Sequence, residues 1–193
     1  MVYPKGKERD DTMSLQFLEI HGPGKVYRDA LYALYERSFP RLERKPVSSL
    51  ERTFSEGKSK ILAVTEDEDF IGLAVLMTDG RCTLLDYLAI EPDKRDRGYG
   101  SQVLRRLLTE YNERPLLVEI ERADERAADN ADRLRRRDFY LRSGMESSGV
   151  CVWLFHVEYE LLCANGSVSY EQYRALLTHC MGGRVGAFLH QLR

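Results

Sequence analysis

The 193-residue sequence has little net charge and no long apolar run. Its 29 basic and 31 acidic side chains give a formal charge of −2, which argues against a protein built mainly to neutralise nucleic acid. No stretch approaches the roughly 18 apolar residues that a membrane span needs. Residues 1–13 lack the apolar segment of a secretory signal. We therefore expect a cytoplasmic protein with a flexible tail over residues 1–13 and no membrane or nucleic-acid partner.

Cysteine is scarce and scattered. The four cysteines, Cys82, Cys151, Cys163 and Cys180, form no Cys-x-x-Cys pair. This spacing fits reduced thiols better than a disulfide framework or a zinc site. We expect no bound metal.

Strand and helix patterns alternate along the chain and predict an α/β protein. Two helices follow a first strand at 15–20, and a hairpin at 60–66 and 70–77 leads into a third antiparallel strand that carries Asp86. A helix from Tyr99, a strand at 116–121 and a helix ending near Ser143 come next. Two closing strands are expected at 150–154 and 157–162. Ser169, with Gln172 three residues later, is typical of a capping box that opens a final helix.

The run from Leu84 to Ser101 reads as an apolar strand, a basic glycine loop and a helix start in direct succession. The first N–H groups of a helix have no intrahelical partner, and they point back into such a loop. Gly98 and Gly100 carry no Cβ, so a phosphate can approach the backbone closely. Arg95 and Arg97 add positive charge beside the positive end of the helix dipole. The pattern therefore predicts a site for a pyrophosphate.

The glycine loop has three other possible interpretations. A dinucleotide-binding fingerprint needs a third glycine where this chain has Val103. A nucleotide P-loop needs Gly-Lys-Ser/Thr, which is missing from this loop. A plain surface turn before a helix stays open, although the flanking strand and the two arginines disfavour it.

The loop resembles the acetyl-CoA signature of the GCN5-related N-acetyltransferases, Arg/Gln-x-x-Gly-x-Gly/Ala, with Arg95, Gly98 and Gly100 in the defined positions. Downstream, residues 139–145 resemble the Phe/Leu-Tyr-x-x-x-Gly-Phe ending of that family's fourth helix, with Met145 in place of the usual Phe. The resemblance covers roughly residues 15–162. It implies a single α/β domain with a mixed, mostly antiparallel sheet, a splayed central strand pair and flanking helices.

The same resemblance implies where acetyl-CoA binds. Backbone N–H groups near the end of the cofactor strand would pair with the pantetheine and the thioester oxygen. The family often has Asn seven residues before the motif tyrosine, where this chain has Arg133, and an arginine there would reach cofactor phosphates instead. The implied cofactor-binding residues are Leu88, Ala89, Ile90, Arg95, Arg97, Gly98, Tyr99, Gly100, Ser101, Arg133 and Arg136.

Two residues are the candidates for acid–base chemistry. Tyr140 would protonate the leaving thiolate, because a phenol with a pKa of about 10 is mostly protonated at neutral pH. Asp86 would take the proton of the acceptor ammonium, with Glu119 on the neighbouring strand as the alternative base. Each also has a purely structural interpretation: Tyr140 as a packed ring, and Asp86 as a partner of nearby backbone or an arginine.

The sequence thus predicts direct transfer of an acetyl group from acetyl-CoA to an amine of a small molecule or peptide, in a ternary complex. The alternative is a regulatory or structural module that binds acetyl-CoA without turnover. Asp86, Glu119 and Glu121 favour a cationic amine, and the 38–41 loop and the 150–159 hairpin are expected to shape its site. The predicted domain covers residues 14–163. Residues 164–193 are expected to be a helical extension that packs on the domain or forms a homodimer contact.

Overall fold

Strands and helices alternate along the computed structural model, which describes residues 15–41 and 43–192. The predicted tail at 1–13 lies outside the described residues. The strands are β1 (Leu15–Glu19), β2 (Ser59–Glu66), β3 (Asp69–Thr78), β4 (Thr83–Ile90), β5 (Leu116–Glu121), β6 (Glu146–Leu154), β7 (Val157–Ala164) and β8 (Leu189–Leu192). The helices are α1 (Arg28–Ser38), α2 (Val47–Ser55), α3 (Tyr99–Glu110), α4 (Asn130–Arg142) and α5 (Tyr170–Met181).

The strands form one open sheet in the order β1-β2-β3-β4-β5-β7-β6-β8. Neighbouring strands are antiparallel except β4 and β5, which run parallel. This parallel pair is joined only at its start, where Thr83 pairs with Leu116 and Leu84 with Leu117. The two strands then separate, so a gap opens in the middle of the sheet. The predicted mixed sheet with a splayed central pair is confirmed.

A β-bulge in β4 lies just inside this gap. Leu85 pairs with Leu76 and Tyr87 pairs with Val75, which leaves Asp86 as the extra residue. A bulge interrupts the alternation of side chains along a strand. Leu85 therefore packs in the cluster that contains the α3 side chains, whereas Tyr87 packs in the cluster that contains α1 and α2.

Helices cover both faces of the sheet. On one face, α3 packs its buried Val103, Leu104 and Leu107 in a cluster with Leu85 and Val118. On the opposite face, α1 and α2 pack over β2, β3 and β4, and α5 packs over β5, β6 and β7. This layered arrangement buries the apolar side chains of both faces of the central strands.

The C-terminal segment contains more than the predicted helix. Ser169 caps α5 as expected, since its Oγ accepts from the Gln172 N–H while the Gln172 side chain accepts from the Ser169 N–H. Strand β8, which the sequence analysis missed, pairs antiparallel with β6 at the sheet edge. Its four residues are too few for a recognisable alternation. The domain boundary proposed after residue 163 stays a prediction.

Three sequence-based exclusions concern a membrane span, disulfide bonds and a metal site. No helix in the described ranges is long and apolar enough to cross a membrane. All four cysteines are free thiols. Among residues 15–41 and 43–192, no group of three or more His, Cys, Asp or Glu side chains is arranged to hold a metal ion.

Candidate functional site

Two carboxylates lie where β4 and β5 separate. Asp86 occupies the β4 bulge, and Glu119 stands two residues beyond Leu117, the last residue of β5 that pairs with β4. Both side chains face the layer of α1, α2 and α5, because Asp86 contacts the α1–α2 loop and Glu119 contacts α5. The two candidate bases named from the sequence are thus brought to one side of the gap.

The loop between α1 and α2 carries a lysine to this position. The Lys45 N–H donates to the Tyr87 hydroxyl oxygen (3.1 Å), and the Tyr35 hydroxyl donates to the Lys45 carbonyl (3.0 Å). The Tyr87 hydroxyl in turn donates to the Glu43 carbonyl at 2.9 Å. Two buried tyrosines therefore fix the backbone of the loop at Lys45.

Lys45 forms an ion pair with Asp86 inside the gap. Its Nζ lies 2.5 Å and 2.7 Å from the two carboxylate oxygens, and the Asp86 side chain is only 7% exposed. Burial by itself lowers the pKa of Lys45, but the negative charges of Asp86 and Glu119 outweigh that effect and raise it. Lys45 is therefore a cation at neutral pH. The sequence analysis missed it, because 41 residues separate it from Asp86 and its neighbourhood carries no motif.

Glu119 is held from the opposite side by the C-terminal helix. The hydroxyl of Tyr173, a fully buried residue of α5, donates to Glu119 Oε1 at 2.7 Å. Burial raises the pKa of Glu119 above its ordinary value, and the charge of Asp86 raises it further, whereas Lys45 and the Tyr173 hydrogen bond act in the other direction. The sequence predicts the helix that carries Tyr173 but no functional role for this residue.

The backbone of β4 offers hydrogen-bond donors along its open edge. In an antiparallel pair, successive residues direct their N–H and C=O groups to opposite sides. The Glu91 N–H donates to the Ile71 carbonyl of β3 at 2.9 Å, so the N–H groups of Leu88 and Ile90 point into the gap. Ala89 does not fit its predicted role. Its backbone faces β3, where its carbonyl oxygen lies against Gly72.

The glycine loop folds back over the end of β4. A short 3-10 helix at Pro92–Lys94 is followed by Arg95, whose Nε donates to the Ile90 carbonyl at 3.0 Å. Asp96 and Gly98 both have positive φ, +60° and +83°. Gly98 is the N-cap of α3, and its left-handed backbone is the conformation that glycine adopts without strain.

The start of α3 is left without a side-chain cap. Within the described residues, the N–H groups of Tyr99, Gly100 and Ser101 have no hydrogen-bond acceptor. The contrast is α5, where Ser169 and Gln172 satisfy the equivalent groups. Three free donors at a positive helix end make a site that favours an anion.

Side chains around the helix start do not all face this anion site. Arg97 is exposed and forms no ion pair with any residue that the structure describes. The Tyr99 hydroxyl donates to Glu66 at 2.5 Å, so only the Tyr99 backbone is available to a ligand. A Cβ on Gly100 would lie 3.4 Å from the Phe139 ring. That glycine therefore also permits the close approach of α3 and α4.

Tyr140 lies near the end of α4, in the cluster that contains Leu85 and Val118 of the two separating strands. Its ring packs edge-on against Phe139, with 5.0 Å between ring centroids. No group in the described part of the chain hydrogen bonds to its hydroxyl. Burial raises the pKa of Tyr140 to about 12, so the phenol keeps its proton at neutral pH.

A family model described as acetyltransferase (GNAT) family matches residues 28–145, which is more than half of the chain. The chain belongs to this family. Membership confirms the resemblance stated from the sequence and the predicted class of enzyme, an acetyltransferase that uses acetyl-CoA. No curated protein sequence matches the chain.

Solved structures of GNAT acetyltransferases share the fold. A protein from Bacteroides thetaiotaomicron described as a GNAT-family acetyltransferase is 20% identical, with 89% of this chain and 98% of that chain covered and a TM-score of 0.69. An aminoglycoside 6'-N-acetyltransferase complexed with coenzyme A is 16% identical (78% and 95% covered, TM-score 0.58). The ribosomal-protein-S18-alanine N-acetyltransferase of Escherichia coli is 17% identical (81% and 96% covered, TM-score 0.53).

The second GNAT motif of this chain has a structural explanation. Gly144 has a φ of +100° and ends α4, while the Met145 N–H donates back to the Tyr140 carbonyl at 3.2 Å. Met145 is 2% exposed and fills the core position that phenylalanine usually occupies in this motif. Methionine is unbranched and adapts to the shape of such a core position, so methionine in place of phenylalanine preserves the packing.

Arg133 and Arg136 are turned away from their predicted role as phosphate ligands. Arg136 donates to Glu121 at 2.9 Å, and Arg133 lies 3.6 Å from the same carboxylate. Arg133 also donates to Asp129 (3.0 Å) and to the Arg122 carbonyl (3.1 Å). The last residue of β5 supplies a nearby carboxylate, so these arginines brace the loop between β5 and α4.

An open groove of about 480 Å³ adjoins the end of β5 and the hairpin between β6 and β7. Trp153 and His156 of the hairpin line one side, and Arg122 and Arg126 of the β5–α4 loop line the other. Asp86 and Glu119 do not line this groove. Glu121 is the only residue of β5 that does. His156 has a φ of +71° and is a turn residue at the hairpin tip.

Proposed function

We propose that this GNAT acetyltransferase transfers the acetyl group of acetyl-CoA directly to a cationic amine of a small molecule or peptide, in a ternary complex. The observation that carries the proposal is the gap between β4 and β5. Its β4 edge presents the N–H groups of Leu88 and Ile90, and one of its faces carries two carboxylates. A thioester in the gap would therefore lie between hydrogen-bond donors and a base.

The donor would bind along the gap and across the start of α3. The pantetheine would pair with the open edge of β4 as an added strand does. Its pyrophosphate would accept from the free N–H groups of Tyr99, Gly100 and Ser101, with Arg95 and Arg97 adding charge. The aminoglycoside acetyltransferase of the same fold, which is complexed with coenzyme A, supports coenzyme A as the ligand.

The transfer step needs a base, an oxyanion donor and an acid. A carboxylate at the gap, Asp86 as predicted from the sequence or Glu119, takes the proton of the acceptor ammonium. The amine nitrogen then bonds to the thioester carbon while a β4 N–H stabilises the oxyanion. When the carbon–sulfur bond breaks, Tyr140 donates its proton to the thiolate, and coenzyme A leaves as a thiol. The second proton of the attacking nitrogen leaves as the neutral amide forms and restores the Tyr140 phenol.

The charge around the gap favours a cationic acceptor. Four carboxylates lie close together here, and their charges act on one another or on the same neighbouring side chains: Glu43, Asp86, Glu119 and Glu121. Burial also raises the pKa of Glu43. Ser38 Oγ and Arg44 Nε, at the two ends of the α1–α2 loop, are buried polar atoms without a partner in the described residues. Such atoms usually have one, which supports an acceptor bound along this loop.

Turnover with a panel of amines tests the proposal. The protein is incubated with acetyl-CoA and with polyamines, aminoglycosides, amino acids or peptides, and both free thiol and acetylated product are measured. We expect transfer to at least one cationic amine. Calorimetry that shows tight acetyl-CoA binding without transfer to any amine would instead establish the module without turnover. The cytoplasmic location and the homodimer stay predictions, which cell fractionation and light scattering test.

A further inference from the structure

We propose that Glu119 is the general base of this reaction and that Tyr173, in the C-terminal segment, is the residue that positions it. This inference rests on the proposed acetyl transfer and assigns a role to residues 164–192, which lie beyond the two sequence motifs. The Tyr173 hydroxyl donates to Glu119 Oε1 at 2.7 Å across the interface between α5 and β5. The helix therefore supplies part of the site.

The hydrogen bonds of the two carboxylates distinguish them. Both oxygens of Asp86 accept from the Lys45 ammonium, and the side chain is nearly buried, so an acceptor amine must first displace Lys45. Glu119 accepts only at Oε1 from the described residues. Its Oε2 is left for an acceptor amine or a water.

The surroundings of Glu119 suit a proton acceptor. The titratable groups that face it are Lys45 from the α1–α2 loop, Asp86 and Tyr87 from β4, Tyr159 from β7 and Tyr173 from α5. Burial and the Asp86 charge raise its pKa, and Lys45 and the Tyr173 hydrogen bond limit the rise. A carboxylate whose pKa is raised is a better proton acceptor than an exposed one.

The position of Tyr173 is fixed independently of any ligand. The capping box of Ser169 and Gln172 begins α5 one turn earlier, and the Tyr173 N–H donates to the Ser169 carbonyl at 3.0 Å. Leu176 and Leu177 anchor the helix in the cluster that also contains Leu117 of β5. The hydroxyl is thus held rigidly against Glu119, which is the requirement for a positioning residue.

Tyr173→Phe tests the positioning role, because it keeps the buried ring and removes only the hydroxyl. We expect kcat/KM at neutral pH to fall about tenfold, the scale of one hydrogen bond to a charged group. The Tyr173 hydrogen bond lowers the pKa of Glu119, so its removal should raise that pKa and move the acidic limb of the pH profile to higher pH. Tyr170→Phe is the matched control. That tyrosine, on the same helix, donates to the Leu189 carbonyl at 3.2 Å and does not touch the site.

Two further variants test the base. Glu119→Gln should lower kcat by roughly 10²-fold or more and abolish the acidic limb, whereas Asp86→Asn should keep that limb. A Tyr173→Phe profile that coincides with the wild type overturns the positioning role. A retained limb in Glu119→Gln overturns the base assignment, even if Tyr173→Phe fails to fold. If the wild-type protein acetylates no amine, the proposed function itself fails, and these outcomes are therefore distinguishable.

Discussion

Replacing Lys45 by methionine should destabilise the protein by leaving Asp86 unpaired. The Asp86 side chain is 7% exposed, and both its oxygens are bound to Lys45. Removing one partner of a buried ion pair costs about 3–5 kcal/mol. Because Lys45 itself is 22% exposed, we expect a loss near the lower end, about 3 kcal/mol. Urea unfolding with linear extrapolation measures this difference.

The control is Lys60→Met, which breaks an exposed ion pair. Lys60 lies 3.5 Å from Glu19, and these side chains are 50% and 43% exposed. Such a pair contributes no more than about 1 kcal/mol. In addition, Asp86→Asn in the Lys45→Met background should recover part of the lost stability, since the unpaired charge is then removed. Equal losses in Lys45→Met and Lys60→Met would refute the reasoning.

The contribution of Lys45 should depend on pH in one direction. Its carboxylate neighbours raise the pKa of Lys45 in the folded protein against the lowering effect of burial. A lysine pKa that is higher in the folded protein stabilises the folded state at pH values below the pKa of an unfolded lysine, about 10.4. This stabilisation disappears as the pH rises through the pKa of the folded protein. The stability gap between wild type and Lys45→Met should therefore be full at neutral pH and shrink above about pH 10. A gap that widens in alkali would contradict the ion pair.

Three other substitutions test separate parts of the structure. Tyr140→Phe should leave stability and coenzyme A affinity unchanged while kcat falls roughly 10²-fold, and a rate within about twofold of wild type would exclude the acid role. Arg97→Ala should weaken coenzyme A binding by roughly fivefold at low salt and less at high salt, as measured by calorimetry, whereas Arg81→Ala, in the β3–β4 turn, should not. Gly72→Ala should lower the free energy of unfolding in urea by about 2–3 kcal/mol, because the new Cβ would lie 2.2 Å from the Ala89 carbonyl oxygen. Unchanged stability would show that β3 and β4 can separate there.

The sequence predicted most of the fold because its signals are local. The strand predicted at 116–121 is β5, and its residues alternate so that Leu116, Val118 and Ile120 lie on one face and Glu119 on the other. The cap at Ser169 was likewise readable, since a capping box needs only residues three apart.

The chemistry of the glycine loop was also encoded locally. Gly98 was predicted to let a phosphate approach the backbone closely, and its φ of +83° at the N-cap of α3 is a second reason for glycine there. The family followed from two short motifs, because the spacing of a loop and a helix end is preserved in sequence. What these motifs could not show is which side chains turn toward the ligand.

Tertiary structure alone decided the arrangement at the gap. Lys45 meets Asp86 across 41 residues, and Tyr173 meets Glu119 across 54, so no local pattern records either contact. Arg133 and Arg136 were expected at phosphates, but a nearer carboxylate on β5 engages them. The sequence determined the strands and helices through the periodicity of apolar residues and the helix caps. It determined the anion site through the glycines before α3. Which carboxylate has a free oxygen depends on how distant elements pack, and packing brings together groups whose separation along the chain carries no signal.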